Sequence, residues 1–144
     1  MARSAVLREV TLTLPMLPDM EIAASKTATA LAEFMDMSSD KIDEVRMAVV
    51  EACINSFEHS HADDRKVSVR FEVLGGPEPE NLKITISDSG VGFSPDDVED
   101  PNIEEKLKAD RKRGWGLKII KGLMDEVEIE SGPAGTTVVM SKSR

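Results

Sequence analysis

The chain has no tyrosine, one tryptophan and an aromatic content of 3%, which leaves few rings on which the bases of a single-stranded nucleic acid could stack. Its single cysteine, Cys53, rules out an internal disulfide and any paired-cysteine metal site. Two histidines, His59 and His61, are too few for a histidine-rich metal centre. No run approaches the roughly 18 apolar residues that a membrane-crossing helix needs. The stretch Met1-Ala2-Arg3-Ser4-Ala5-Val6-Leu7-Arg8-Glu9 meets charge too early for a signal-peptide core, so the cytoplasm is the expected compartment. Positive charge is scarce as well: 18 Lys and Arg stand against 27 Asp and Glu, a net charge of −9. Such a balance repels nucleic acid and anionic membrane unless the cations are gathered in one place.

What remains is 144 residues, 40% hydrophobic and 31% charged, the composition of one globular domain. A chain of this length buries roughly two-thirds of its unfolded surface. The apolar period switches between two and about 3.6 residues, the mark of a mixed α and β chain. Val10, Leu12 and Leu14 alternate with threonines as a first strand that ends at Pro15 and Pro18. Ala24, Ala28, Leu31 and Met35 fall at helical spacing, and Ser38 or Ser39 offers the N-cap of a second helix reaching about His59. Val67 to Val73 and Leu82 to Ile86 alternate on either side of Gly75-Gly76-Pro77, a hairpin. Residues 94–113 carry two prolines, many charges and little periodicity, which suits a surface loop. A last helix from near Gly116 carries Ile119, Ile120, Leu123 and Met124, and two strands follow, the final one spanning Thr136 to Met140. The order is β-α-α-β-β-loop-α-β-β. It predicts an α+β two-layer sandwich, a mixed or antiparallel sheet with helices on one face.

Four places break the apolar pattern with polar residues. On the second helix, Val45, Val49, Ala52, Cys53 and Ser56 share one arc while Glu51, Asn55 and Glu58 form a separate stripe bordered by Ala48, Met47 and Ile54. An exposed helix face explains the stripe equally well, and Arg46 falls inside the apolar arc without explanation. Asp88 ends the second hairpin strand in phase with Leu82, Ile84 and Ile86, so its carboxylate points to the buried layer and needs a donor. Ser89-Gly90-Val91-Gly92 follows, backbone that a flat ligand can approach, although an ordinary aspartate and glycine turn reads the same way. Between Lys106 and Lys121 stand seven Lys or Arg residues and one acid, and Arg113-Gly114-Trp115-Gly116 leads into a helix, where amides freed by glycine make an anion site. A solvated charge run is the plainer alternative. Thr136 follows Gly135 in phase with Val138 and Met140, toward the same interior as Asp88. No phosphate loop of the GxxxxGK[ST] type, HExxH motif, GxGxxG fingerprint or nucleophile elbow is present.

In order and spacing, Glu51-x3-Asn55-x3-His59, Asp88-x-Gly90-x-Gly92, Arg113-Gly114-x-Gly116-Leu117 and Gly135-Thr136 resemble the N box and three glycine boxes of the GHKL ATPases, which share the Bergerat nucleotide-binding fold. The likeness spans almost the entire chain. Glu51-Ala52-Cys53-Ile54-Asn55 in a lone domain looks most like the anti-sigma-factor serine kinases of bacterial partner-switching modules. A sensor histidine kinase does not fit, since 144 residues leave no room for a dimerisation helix pair carrying a phosphoacceptor histidine.

The resemblance implies one histidine kinase-like ATPase domain over residues 1–144 with an ATP lid at about 94–113. It implies that Asp88, assisted by Thr136, accepts the adenine amine, that Gly90 and Gly92 make room for the base, and that Asn55 holds Mg²⁺ through its amide oxygen. Glu51 becomes the general base. Arg113 or Lys112, with Gly114 and Gly116 ahead of Leu117, cradles the phosphates; His59 is a structural histidine near the helix end, and Trp115 has no assigned role. The implied activity is a Mg-ATP-dependent serine/threonine kinase. It would act on a STAS-domain anti-sigma-factor antagonist and sequester a sigma factor or another target. A PP2C-type phosphatase in the same pathway and a homodimeric state complete the expectation, with neither nucleic acid nor membrane as partner. The competing readings are a non-catalytic module that senses ATP against ADP, and a simple ATPase.

Overall fold

The computed structural model describes residues 5–59, 64–89, 117–132 and 135–144. The elements are β1 (Ala5–Pro15), α1 (Met20–Phe34), α2 (Ser39–His59), β2 (Lys66–Gly75), β3 (Pro79–Asp88), a helix α3 over 117–123, β4 (Glu126–Gly132) and β5 (Gly135–Ser143). The five strands form one antiparallel sheet in the order β1-β2-β3-β5-β4. This is the expected α+β layering, with the sheet wholly antiparallel.

Strand alternation decides which sheet face is covered. Val67, Val69, Phe71 and Val73 of β2 and Leu82, Ile84 and Ile86 of β3 are buried and meet Val45, Ala48, Val49, Ala52 and Cys53 of α2 in one core. The opposite face carries Thr11, Ser68, Arg70, Thr85 and Ser87 around an open depression, a surface water can solvate. Ala24, Ala28 and Ala32 of α1 are fully buried at four-residue intervals, so small side chains let this helix lie close against its neighbours. Each large apolar side chain removed from water, such as Phe71 or Ile84, contributes roughly 1.5–3 kcal/mol.

The helix boundaries follow local chemistry. Ser38 caps α2, its hydroxyl accepting from the Lys41 amide at 3.3 Å. Arg46 is no exception to the apolar arc: its side chain leaves the arc's edge, stays half exposed and pairs with Asp43 at 2.9 Å. The first and last strands outrun the expected limits. β1 begins at Ala5 and continues through a bulge between Val6 and Arg8, because β2 offers partners along its whole length. β5 runs on to Ser143, since Ser141, Lys142 and Ser143 pair with Lys83, Leu82 and Asn81. The polar Ser-Lys-Ser composition concealed that pairing.

Candidate functional site

Glu51 and Asn55 lie one turn apart on α2, about 6 Å along the axis, and both are half-buried. Ala48 beside them is fully buried and Ile54 is partly so, whereas Met47 is 52% exposed, so the stripe runs between core and solvent. Glu58 is exposed. The α2 stripe therefore presents a carboxylate and a carboxamide at the edge of the hydrophobic layer, where polar groups keep access to solvent and to a ligand.

Asp88 sits at the last position of β3, half-buried and opposite Val67 of β2. The Ser56 hydroxyl, immediately after Asn55 on α2, donates to Asp88 Oδ2 at 3.3 Å. This contact spans two elements and joins the core-facing arc of α2 to the end of β3. Sequence reasoning placed Ser56 in the apolar arc and gave it no role; the signal was a hydroxyl directly following Asn55, facing a strand that ends in a carboxylate.

The register of β3 and β5 ends at Ser87 opposite Thr137. Gly135 adopts φ of 130°, and a Cβ there would be driven into the Asp88 carbonyl oxygen. Only a glycine permits this approach of β5 to the end of β3. Thr136 is half-buried on the helix-facing side of β5, and its hydroxyl lies 2.9 Å from that of Ser131 across the β4–β5 hairpin. Three positions from three separate sequence stretches, Ser56, Asp88 and Gly135, thus meet at one end of the sheet, and Asn55 is the residue before Ser56 on α2. Leu117 is the first described residue of α3 and is half-buried. Gly90, Gly92, Lys112, Arg113, Gly114, Trp115 and Gly116 lie outside the described residues, as does the expected lid at 94–113. The backbone of His59 closes α2; its side chain lies outside the described set.

Asp88, Ser89, Lys66, Ser68 and Ser87 line an open depression of about 320 Å³ at this end of the sheet; Ser68 and Ser87 belong to the face away from the helices, and no residue of α2 lines it. A larger one, about 540 Å³, lies over Leu74, Lys83, Glu128 and Val139 and contains none of the polar residues singled out in the sequence. Size alone therefore does not locate the chemistry. No cluster of three or more His, Cys, Asp or Glu positioned for a metal occurs among the described residues. Cys53 lies in the core, where burial, reinforced by the negative charge of Glu21, pushes its thiol up to about 12 and keeps it protonated. No helix among the described residues is long and apolar enough to cross a membrane.

The sequence profile of the histidine kinase-like ATPase domain matches residues 14–142, which contain Glu51, Asn55, Ser56, Asp88, Gly135 and Thr136. The chain belongs to the histidine kinase-like ATPase domain family. A serine-protein kinase RsbW of Bacillus velezensis is 33% identical over 122 residues, covering 81% of this chain and 73% of that protein. An anti-sigma F factor of Oceanobacillus iheyensis is 30% identical over 136 residues, covering 93% and 91%. The fold is also similar to part of a crystal structure of the RsbU and RsbW domains of a Mycobacterium tuberculosis protein, with a TM-score of 0.69 at 19% identity. That alignment covers 95% of this chain and 33% of the other. This histidine kinase-like ATPase domain carries an antiparallel sheet. It places the Glu51 and Asn55 helix against the strand that ends in Asp88.

Proposed function

We propose that this protein is a serine/threonine kinase that binds Mg-ATP and phosphorylates a STAS-domain anti-sigma-factor antagonist, sequestering a sigma factor or another target in alternation. The observation that carries this reading is the bond from Ser56 to Asp88, which sets a carboxylate that we assign to adenine beside the helix bearing Glu51 and Asn55. The names of the relatives, a serine-protein kinase and an anti-sigma F factor, support the same class of activity.

The donor set fits a purine nucleotide. Asp88 presents a carboxylate held on one side by the Ser56 hydroxyl, and a carboxylate is the acceptor that an exocyclic amine needs. The absence of a side chain at Gly135 keeps backbone close behind it. Asn55 supplies a neutral amide oxygen, a hard ligand suited to a Mg²⁺ that otherwise keeps waters and phosphate oxygens. Bound there, the ion supplies neutralisation of phosphate charge.

Glu51, one turn away on the same half-buried stripe, accepts the proton of the attacking hydroxyl. In this step the hydroxyl oxygen forms a bond to the γ-phosphorus and the bond to the β,γ-bridging oxygen breaks. ADP leaves, and the proton resides on the Glu51 carboxylate. Arg113, Gly114, Gly116 and Leu117 are assigned to the phosphates, and Gly90 and Gly92 to the base, by their place in the family pattern. We assign residues 1–144 to a single domain with a lid at about 94–113. The same reading includes a homodimer, a PP2C-type phosphatase that resets the partner, and a cytoplasmic setting where ATP is abundant.

The test is phosphoryl transfer from labelled Mg-ATP to a panel of STAS-domain anti-sigma-factor antagonists from the same organism. Wild type should transfer. Glu51→Gln should lose at least about 100-fold in rate, within the 10²–10⁴ range of a general base, while keeping nucleotide affinity. No transfer by wild type, or equal transfer by Glu51→Ala, defeats the kinase assignment. Partner release governed by ATP against ADP without transfer would install the sensing module in its place.

A further inference from the structure

Lys142 occupies a core-facing position of β5, in phase with buried Val138 and Met140 and opposite fully buried Leu82, yet it carries a charge. Only 8% of its side chain reaches solvent. Its ammonium donates to Glu44 Oε2 of α2 at 2.9 Å and to the backbone carbonyl of Leu123, the last residue of α3. Asp125, between α3 and β4, stands 3.9 Å away as a second counter-ion. Asp125 is itself held: its carboxylate accepts from the Ser143 amide at 2.7 Å, which lowers its pKa together with the charges of Lys142 and Lys41. One side chain thus binds α2, the C-terminus of α3 and the approach to β4.

The carbonyl of Leu123 is one of the four at a helix end that have no partner within the helix, and a cation there also opposes the negative end of the helix dipole. A buried ion pair is seldom retained for stability alone, because apolar groups of equal volume often serve as well.

We propose that Lys142 is a positioning residue for nucleotide phosphates, setting the distance between α2 and α3 from their far ends. The inference rests on the nucleotide-binding reading above. α2 carries Asn55, and α3 carries Leu117, which we assign to the phosphates; the adenine acceptor Asp88 lies on β3, which Lys142 meets through its backbone at Leu82 and not through its ammonium. Loosening the Lys142 anchor therefore weakens phosphate contacts and leaves base recognition intact.

The measurement is calorimetric affinity for adenosine, ADP and Mg-ATP in wild type, Lys142→Met and Glu44→Gln, each at a temperature where circular dichroism shows it folded. Methionine keeps the volume, and Glu44, about one-third exposed, solvates when its partner is removed. In Lys142→Met, Mg-ATP and ADP affinity should fall roughly 3- to 30-fold, the span expected when a packed coupling element is loosened. Adenosine affinity should stay within about twofold, since its contacts are untouched. Glu44→Gln should show the same pattern with a smaller loss, and it decides the matter should Lys142→Met fail to fold. Equal losses for adenosine and ATP, or a lowered melting temperature with unchanged ATP affinity, overturn the positioning role while leaving nucleotide binding in place. A wild type that takes up none of the three ligands overturns both.

Discussion

Replacing Gly135 by alanine separates backbone necessity from mere turn preference at this site. Gly135 has φ of 130°, a region in which L residues are strained by about 1–3 kcal/mol. The added Cβ also overlaps the Asp88 carbonyl oxygen and sits 3.1 Å from Ser89 Cα, so β5 and the end of β3 must part. For a chain of this size each kcal/mol lowers Tm by roughly 2–4 °C, which sets a decrease of about 2–12 °C before the overlap is counted. Gly132, its partner across the same hairpin, has nothing within 4 Å of an added Cβ and no positive φ, so Gly132→Ala should leave Tm nearly unchanged. Thermal unfolding by circular dichroism reads the contrast directly. Gly135→Ala should also weaken ATP in titration calorimetry, because the Asp88 segment is displaced. Similar Tm values for the two alanine variants would refute the argument from φ and close approach.

The remaining predictions concern the acceptor pair and the core thiol. Asp88→Asn should weaken ATP by roughly 10- to 150-fold, the equivalent of losing a charge-assisted hydrogen bond worth about 1.5–3 kcal/mol, with little change in Tm; unchanged affinity in calorimetry removes Asp88 from base recognition. Ser56→Ala leaves the carboxylate in place but unguided on that side, so a smaller loss of about 2- to 10-fold is expected from the same titration, corresponding to one net hydrogen bond. Cys53, with its thiol pushed up to about 12, should resist a thiol reagent at pH 8 in the folded protein and react at once in denaturant. Rapid labelling of the native chain would show that α2 does not pack as described.

Much of the fold was legible because alternation and helical spacing are local. Val67 to Val73, Leu82 to Ile86 and the arc of Val45, Val49, Ala52 and Cys53 each declare a buried face from their own neighbours, and all are buried. The strand ends were not legible. The expected final strand stopped at Met140, yet Ser141 to Ser143 complete β5 because β3 presents unpaired backbone there. Lys142 was invisible as a core residue for the same reason: its partners Glu44, Leu123 and Asp125 lie on other elements. Arg46 looked anomalous on a helical projection because its position at the arc's edge is resolved only by a long side chain turning back to Asp43.

For the candidate site, the sequence by itself determined which chemistry was available: a carboxylate and a carboxamide one helical turn apart, an aspartate ending a core-facing strand, and glycines at defined spacings. Those properties depend on residue identity and on periods that any helix or strand must obey. Only the tertiary structure decided that Ser56 reaches across to Asp88, that Gly135 closes against its carbonyl, and that a buried lysine ties α2 to α3. Each of these is a meeting of atoms from segments tens of residues apart. Such meetings are fixed by how the layers pack, which local sequence does not encode.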